Sequence, residues 1–449
     1  MPRARSLFRC ESCGASSPTW VGRCPGCQEW NSFVEERVTA AAGPARSAVG
    51  AQPIARVGVD RAAVVATGIG ELDRVLGGGL VPGSATLLGG EPGIGKSTLA
   101  LQLAAEMARR GTRVLYASAE ESTSQVRARA ERLGAVHDDL WLTTEAEVPA
   151  LVGLVDELAP TLVLVDSIQT VHDPALASAA GSVGQVRECA AALVRLAKER
   201  DVSIVLVGHV TKDGALAGPR VLEHLVDTVL GFEGDRHHAL RLLRASKHRF
   251  GSTEDLGVFE MTGRGLVPVT DPSALFLDDR RADVPGSVVA PVLDGYRPLL
   301  VEVQALTTVG LPGQARRLAH GVDAGRLSMV LAVLGERVRF DVSGKDVHAL
   351  AVGGLRVVEP AADLAIALAV ASSLCDQAIP ADVVAIGEVG LGGELRQAHQ
   401  TSRRVAEAAR LGFARAIVPR SAPEPPPGIA VLRSATLGEA IALASLPLP

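Results

Sequence analysis

The chain has 449 residues, of which 47% are hydrophobic and 21% charged, with a formal net charge of -5 at pH 7. Such proportions suit two or three soluble globular domains, and the acidic balance argues against an overall basic nucleic-acid binder while leaving local basic patches open. The longest apolar run, residues 364–375, lies between Asp363 and Asp376 and is shorter than the roughly 18 residues a membrane span needs; Arg3, Arg5 and Arg9 are followed by no apolar core, so no secretory leader is expected and a cytoplasmic protein is.

Residues 1–36 carry Cys10-x2-Cys13 and Cys24-x2-Cys27, each pair beside a tight turn. Two such knuckles supply four thiolates, the ligand set of a closed, structural Zn²⁺ site with no position left for water. Two disulfides or a redox dithiol are the rival readings, but nothing points to an oxidising compartment and a redox dithiol needs only one pair. Trp20, Arg23 and Trp30 either offer a surface on which nucleic acid can stack or pack around the metal. The other cysteines, Cys189 and Cys375, lie in helical Ala- and Leu-rich patterns and read as small core residues. Residues 37–60, rich in Ala, Gly and Pro without apolar period, read as a linker.

Residues 61–270 alternate strand-like and helix-like stretches, the pattern of a mostly parallel sheet covered by helices. Within them Gly90-Glu91-Pro92-Gly93-Ile94-Gly95-Lys96-Ser97 reads G-x-x-x-x-G-K-S, between a buried strand (85–88) and a helix opening at Thr98. A loop of small side chains lets backbone N–H groups close on a triphosphate. Lys96 can reach the β- and γ-phosphates, and the Ser97 hydroxyl can ligate Mg²⁺. The strand 113–118 ends in Glu120 and Glu121. A carboxylate there can position the water that attacks the γ-phosphate, or it is simply the acidic start of a helix; Glu120 is the expected catalytic residue. Residues 161–167 form an apolar run ending in Asp166, the Walker B pattern that delivers a carboxylate toward Mg²⁺. The strand 203–208 ends at His209, either a sensor of the γ-phosphate or a structural histidine. Residues 173–185 and 211–220 read as long flexible loops projecting from the ATP-bearing edge. The strand 241–247 runs into Lys247-His248-Arg249-Phe250-Gly251, whose cations suit a neighbour's active site or DNA phosphates, or are an ordinary basic strand end. Residues 271–285 read as a second linker. Residues 286–449 form a further domain with strands at 287–293 and 299–305, helices near 325–337, 361–375 and 401–411, and no obvious site of chemistry.

Four cysteines, the P-loop, a K-x-R-F-G motif and this C-terminal domain follow one another in an order that resembles the bacterial RadA (Sms) DNA-repair family over the whole chain. The family motif is K-N-R-F-G; here His248 replaces Asn, and both cations are retained. The resemblance implies a RecA-type ATPase core in an α/β fold with an N-terminal four-Cys zinc module and an α+β domain similar to the Lon protease domain. It further implies ATP, Mg²⁺ and Zn²⁺ as ligands, a role for Lys247 and Arg249 in linking ATP use to DNA, a RecA-class recombinase as partner, and a hexameric ring working on single-stranded or branched DNA. Lon uses a Ser/Lys dyad, but the matching positions hold Ala361 and Arg404. Alanine offers no nucleophile and arginine stays protonated, so a proteolytically dead scaffold is expected. Arg316, Arg317, Arg326, Arg396, Arg403 and Arg404 are its candidate DNA-facing surface.

Overall fold

The structure is a computed structural model that describes residues 5–10, 15–38, 64–209, 220–234, 240–310, 315–353, 356–424 and 427–449. The chain divides into two units, residues 1–270 and 271–449. Among the described residues no helix is long and apolar enough to cross a membrane.

The first unit opens with a small antiparallel sheet of β1 (Arg5–Cys10), β2 (Ser16–Ser17) and β3 (Phe33–Val38), with β1 in the centre. The larger part of the unit then runs α1 (Gly70–Val75), β4 (Ala85–Gly90), α2 (Lys96–Arg109), β5 (Val114–Ser118), α3 (Thr123–Arg132), β6 (Leu140–Thr143), α4 (Val148–Leu158), β7 (Leu162–Asp166), α5 (Val183–Arg200), β8 (Ser203–His209), α6 (Arg220–Glu223), β9 (Thr228–Glu233), β10 (Leu240–His248), β11 (Leu256–Thr262) and β12 (Gly265–Pro268). Nine of these strands form one sheet in the order β12-β11-β10-β9-β4-β8-β7-β5-β6. From β9 to β6 neighbours run parallel; β10, β11 and β12 add an antiparallel edge. Strands β4, β5 and β7 are buried at every position, as a parallel sheet covered on both faces requires, and so read as unbroken apolar runs rather than alternating ones. Leu88, Tyr116 and Leu164 face one layer with α2, while Leu87, Leu115 and Val163 face the other with α4 and α5.

The second unit begins at once with α7 (Pro272–Leu277), capped by the Asp271 side chain on the Ala274 N–H. The stretch read as a linker therefore carries a helix, whose Pro272, Ser273 and Phe276 are buried. There follow β13 (Ser287–Asp294), β14 (Arg297–Val309), β15 (Arg317–His320), α8 (Ala324–Val333), β16 (Lys345–Ala351), α9 (Asp363–Cys375), β17 (Val383–Ala385), β18 (Glu388–Val389), β19 (Leu395–Arg396), α10 (Thr401–Arg410), β20 (Arg415–Pro419), β21 (Ala430–Ser434) and α11 (Leu437–Leu443). Seven strands form a mixed sheet, β15-β16-β14-β13-β17-β20-β21. The apolar run at 364–375 is α9. Its first ten residues are all buried, which explains its lack of a polar face: it is a central core helix.

Candidate active site

The nucleotide loop joins β4 to α2. Gly95 caps α2 at φ +118, a left-handed turn that glycine adopts without the strain a side chain would bring, and it sits beneath the Met261 methyl of β11. The Lys96 side chain is buried, and its ammonium donates to the carbonyls of Gly90 (2.8 Å) and Glu91 (3.0 Å). Burial lowers its pKa, while the charges of Asp166 and Glu120 work against that shift. The opposed effects place both carboxylates within electrostatic reach of the ammonium. Ser97 and Thr98, half-buried, begin α2 beside it.

Strands β5 and β7 are parallel neighbours with Ser118 opposite Asp166. Asp166 therefore ends β7 level with the end of β5, and Glu120 follows two residues later. Asp166 is buried and its Oδ2 accepts the Tyr116 hydroxyl at 2.7 Å. Glu120 is exposed and its Oε1 accepts the Ser167 hydroxyl. The adjacent Glu121 is drawn away by Arg129, 2.6 Å distant on α3, and Ser122 caps that helix in a reciprocal box with Gln125. The two acids so part: Glu121 braces a helix, whereas Glu120 belongs to the Lys96–Asp166 group. Oxygen donors beside a buried lysine suit Mg²⁺ and a triphosphate.

Within this chain Lys247 and Arg249 do not join that group. Lys247 lies opposite Val229 on β9, which lies opposite Leu87, three residues short of Gly90 on β4. Its ammonium donates to the carbonyls of Glu223 (2.6 Å) and Val226 (2.8 Å). Arg249 is half exposed and bonds Asp227 Oδ1 at 3.2 Å; the other oxygen of that buried carboxylate accepts the N–H of Ala85, the first residue of β4. His248 accepts from or donates to Thr228 Oγ1 through Nδ1 (2.9 Å), and burial lowers its pKa. Its ring is wedged between Gly77 and Gly251: a Cβ on Gly251 would fall 2.8 Å from Nε2. Phe250 is 50% exposed. His209 ends β8 opposite Gly90.

The stretch 173–185 is not the free loop expected. Gln185, buried in the first turn of α5, accepts the Asp173 N–H and donates to the carbonyls of Asp173 and Ser178, a three-point tether. Of the second expected loop, residues 211–219 lie outside the described residues.

In the N-terminal module the sulfurs of Cys10, Cys24 and Cys27 lie within 4.8 Å of one another; Cys13 lies outside the described residues. Three converging thiols are a soft donor set that fits tetrahedral Zn²⁺. The small core here is Cys10, Cys24 and Phe33, and the tryptophans are not in it: Trp20 is 53% and Trp30 68% exposed. Arg23 lies over the Trp30 ring, held by two bonds to Gln28.

In the second unit Ala361 is buried, and two residues before it Glu359 takes a bidentate pair from Arg404, which is 1% exposed. That geometry corrects the basic surface expected there. Arg404 also donates to the carbonyls of Pro291 and His399, and Arg326 makes a bidentate pair with the fully buried Asp363. Neither guanidinium is available to DNA. Arg317 donates to backbone carbonyls, Arg396 pairs with Glu394 and Arg403 covers Tyr296; of the six candidate arginines, Arg316, Arg396 and Arg403 are exposed.

Several residues at the site carry no sequence motif. Tyr116 reads as one more apolar position in β5, and Ser167 as the residue after a Walker B aspartate. Arg241, buried on β10, donates from Nε to the Ile94 carbonyl of the nucleotide loop (3.2 Å). The contact spans 147 positions of sequence, so no local pattern could show it.

Comparison with known proteins agrees with this layout. Residues 8–35 match the rubredoxin metal binding domain family, residues 55–215 the AAA domain family, and residues 303–422 the family of subunit ChlI of Mg-chelatase. The chain is 49% identical to the DNA repair protein RadA of Halalkalibacterium halodurans, covering 93% of each chain. It is 46% identical to that of Bacillus subtilis over 98% of this chain and 99% of the other. The RadA of Mycobacterium tuberculosis is also 46% identical, over 98% and 93%. A solved RadB recombinase aligns with a TM-score of 0.36 and 22% identity, over 46% of this chain and 100% of its own, a score too low to bear on the fold. The first unit is thus a zinc ribbon followed by a RecA-like P-loop ATPase, with ATP, Mg²⁺ and Zn²⁺ as ligands, and a Lon-like α+β domain follows. At such identity over nearly its full length, the chain belongs to the DNA repair protein RadA family.

Proposed function

We propose that the protein is a DNA-dependent ATPase of homologous recombination and repair, a motor that moves single-stranded or branched recombination intermediates by unwinding and branch migration. The observation that carries the ATPase part is the placing of Asp166 and Glu120 at the ends of the adjacent strands β7 and β5, with the buried Lys96 ammonium at the start of α2 within electrostatic reach of both. The repair role follows from the relatives, each named a DNA repair protein.

In this reading residues 90–98 hold the triphosphate and Lys96 neutralises its terminal charge. Ser97 and Asp166 would hold Mg²⁺, which supplies electrostatic stabilisation of the transferring phosphoryl group. Glu120 orients the attacking water. Lys247 and Arg249 serve DNA or the site of a neighbouring subunit in a homo-oligomeric, hexameric ring. That geometry is consistent with their distance from the nucleotide loop of their own chain. The segments 173–185 and 211–220 face the DNA strand, a RecA-class recombinase is the partner, and the protein works in the cytoplasm.

The test is ATP hydrolysis with and without single-stranded DNA, on the parent and on Arg249→Ala, with solution mass measured alongside. Stimulation by DNA that the variant loses, in a ring-sized assembly, supports the motor. Unstimulated hydrolysis by a monomer sinks it in favour of a nucleotide-switched scaffold. A protease reading has no support: Ala361 lacks a nucleophile, and Arg404 is locked on Glu359.

A further inference from the structure

The two acids at the strand ends are each held by a hydroxyl from the opposite strand. Tyr116 on β5 donates to Asp166 at the end of β7; Ser167, just past β7, donates back to Glu120, just past β5. Both donors are sealed from water, at 1% and 0% exposure. A phenylalanine would fill the Tyr116 position in an apolar strand equally well. A buried phenol is tolerated only when its hydroxyl is satisfied, and a bond to a carboxylate is among the stronger ways to do so.

We propose that Tyr116 and Ser167 are positioning residues, a crossed clasp that keeps two neighbouring carboxylates in separate tasks. This rests on the reading of Asp166 as the Mg²⁺-side acid and Glu120 as the acid that orients water. Without the clasp, two acids at adjacent strand ends can both turn toward one cation. With it, Tyr116 engages one oxygen of Asp166 and leaves the second to metal or its water, while Ser167 retains Glu120 on its own strand end. The roles of the two hydroxyls are then separable: loss of Tyr116's disturbs the metal, loss of Ser167's the chemical step.

The experiment uses the full chain and two readouts. One is the Mg²⁺ concentration that half-saturates binding of a fluorescent ATP analogue, which involves no turnover. The other is kcat at saturating Mg²⁺. Tyr116→Phe is expected to raise the Mg²⁺ requirement about tenfold and to lower kcat by less. Ser167→Ala is expected to lower kcat about tenfold and to shift the Mg²⁺ requirement by less, with Ser167→Thr restoring kcat. An equal loss in both readouts from both variants, or parent-like behaviour of either, overturns the clasp. Glu120→Gln separates the two levels. If it hydrolyses ATP at the parent rate, the underlying reading fails; if it is dead while Ser167→Ala is parent-like, the clasp alone fails. Should Tyr116→Phe not fold, Raman spectroscopy decides. The chain has two tyrosines, so Tyr296→Phe leaves Tyr116 as the sole phenol. Its Fermi doublet should report a hydroxyl donating to an anion, and a doublet from a non-donating phenol overturns the proposal.

Discussion

Arg404 and Glu359 face each other through two bonds of 2.5 and 2.6 Å, with the guanidinium almost wholly enclosed. Removing one partner of such a pair strands the other charge. Arg404→Ala should destabilise the second unit by about 3 kcal/mol, read by denaturant unfolding. Restoring a serine and a lysine together, Ala361→Ser with Arg404→Lys, should yield no casein hydrolysis, because Glu359 and two backbone carbonyls still claim the cation. Casein cleavage by that double variant would refute this view of the pocket.

Lys96 presents a conflict between stability and use. Its folded pKa lies below the ordinary lysine value of 10.5, because burial outweighs the pull of Asp166 and Glu120. The unfolded chain therefore holds that proton more tightly, and stability gains as pH rises through the folded pKa toward 10.5. Below that window the buried charge is a cost. Lys96→Met should leave Tm at or above the parent's while reducing ATP hydrolysis by about 10²-fold or more. A large fall in Tm would show that the ammonium braces the loop instead.

Asp271 works in the other direction. The Arg410 guanidinium, 2.7 Å away, holds its carboxyl below the usual aspartate value of 3.8. Its contribution is complete above 3.8 and disappears as pH falls through the lower folded value. Asp271→Asn retains a cap for α7 but loses the pair. It should cost roughly 0.5–1 kcal/mol at neutral pH, a difference that vanishes in strong acid. A difference independent of pH would reassign the effect to the cap.

Zinc removal should act locally. Among its described residues the ribbon buries two cysteines and one phenylalanine, with Phe8, Ala15 and Val21 partly buried against them, too small a core to fold unaided. Chelation, or Cys24→Ser, should make the N-terminal module sensitive to protease while the ATPase melting transition stays within about 2 °C of the parent, since a negligible stability change moves Tm little. Loss of that transition would mean the ribbon supports the ATPase fold.

Gln185→Ala should release the segment 173–182. The expected sign is rapid proteolytic nicking there without a change in far-ultraviolet circular dichroism. Resistance equal to the parent's would show the tether to be redundant.

What could be read in advance was whatever sits in consecutive residues. The nucleotide loop, the apolar strand before Asp166 and the cysteine knuckles all announce their chemistry by spacing. The contacts that organise them do not. Tyr116 meets Asp166 across 50 positions, Asp227 meets Ala85 across 142, and Arg404 meets Pro291 across 113. A basic residue looks alike in sequence whether it faces solvent or a buried acid, so Arg326 and Arg404 read as surface. The α7 helix, six residues long, is too short for a periodic signal, and Gln185 gave no hint that a polar amide was holding a loop.

Asp227 gives the K-x-R-F-G motif a mechanical address. One of its oxygens holds Arg249 and the other holds the backbone where β4 begins, five residues, or roughly 17 Å, from Gly90 at the other end of the strand. Lys247 likewise secures the carbonyls just ahead of Asp227. Arg249 and the first backbone amide of β4 therefore share one buried carboxylate, at the opposite end of the strand from the loop 90–97.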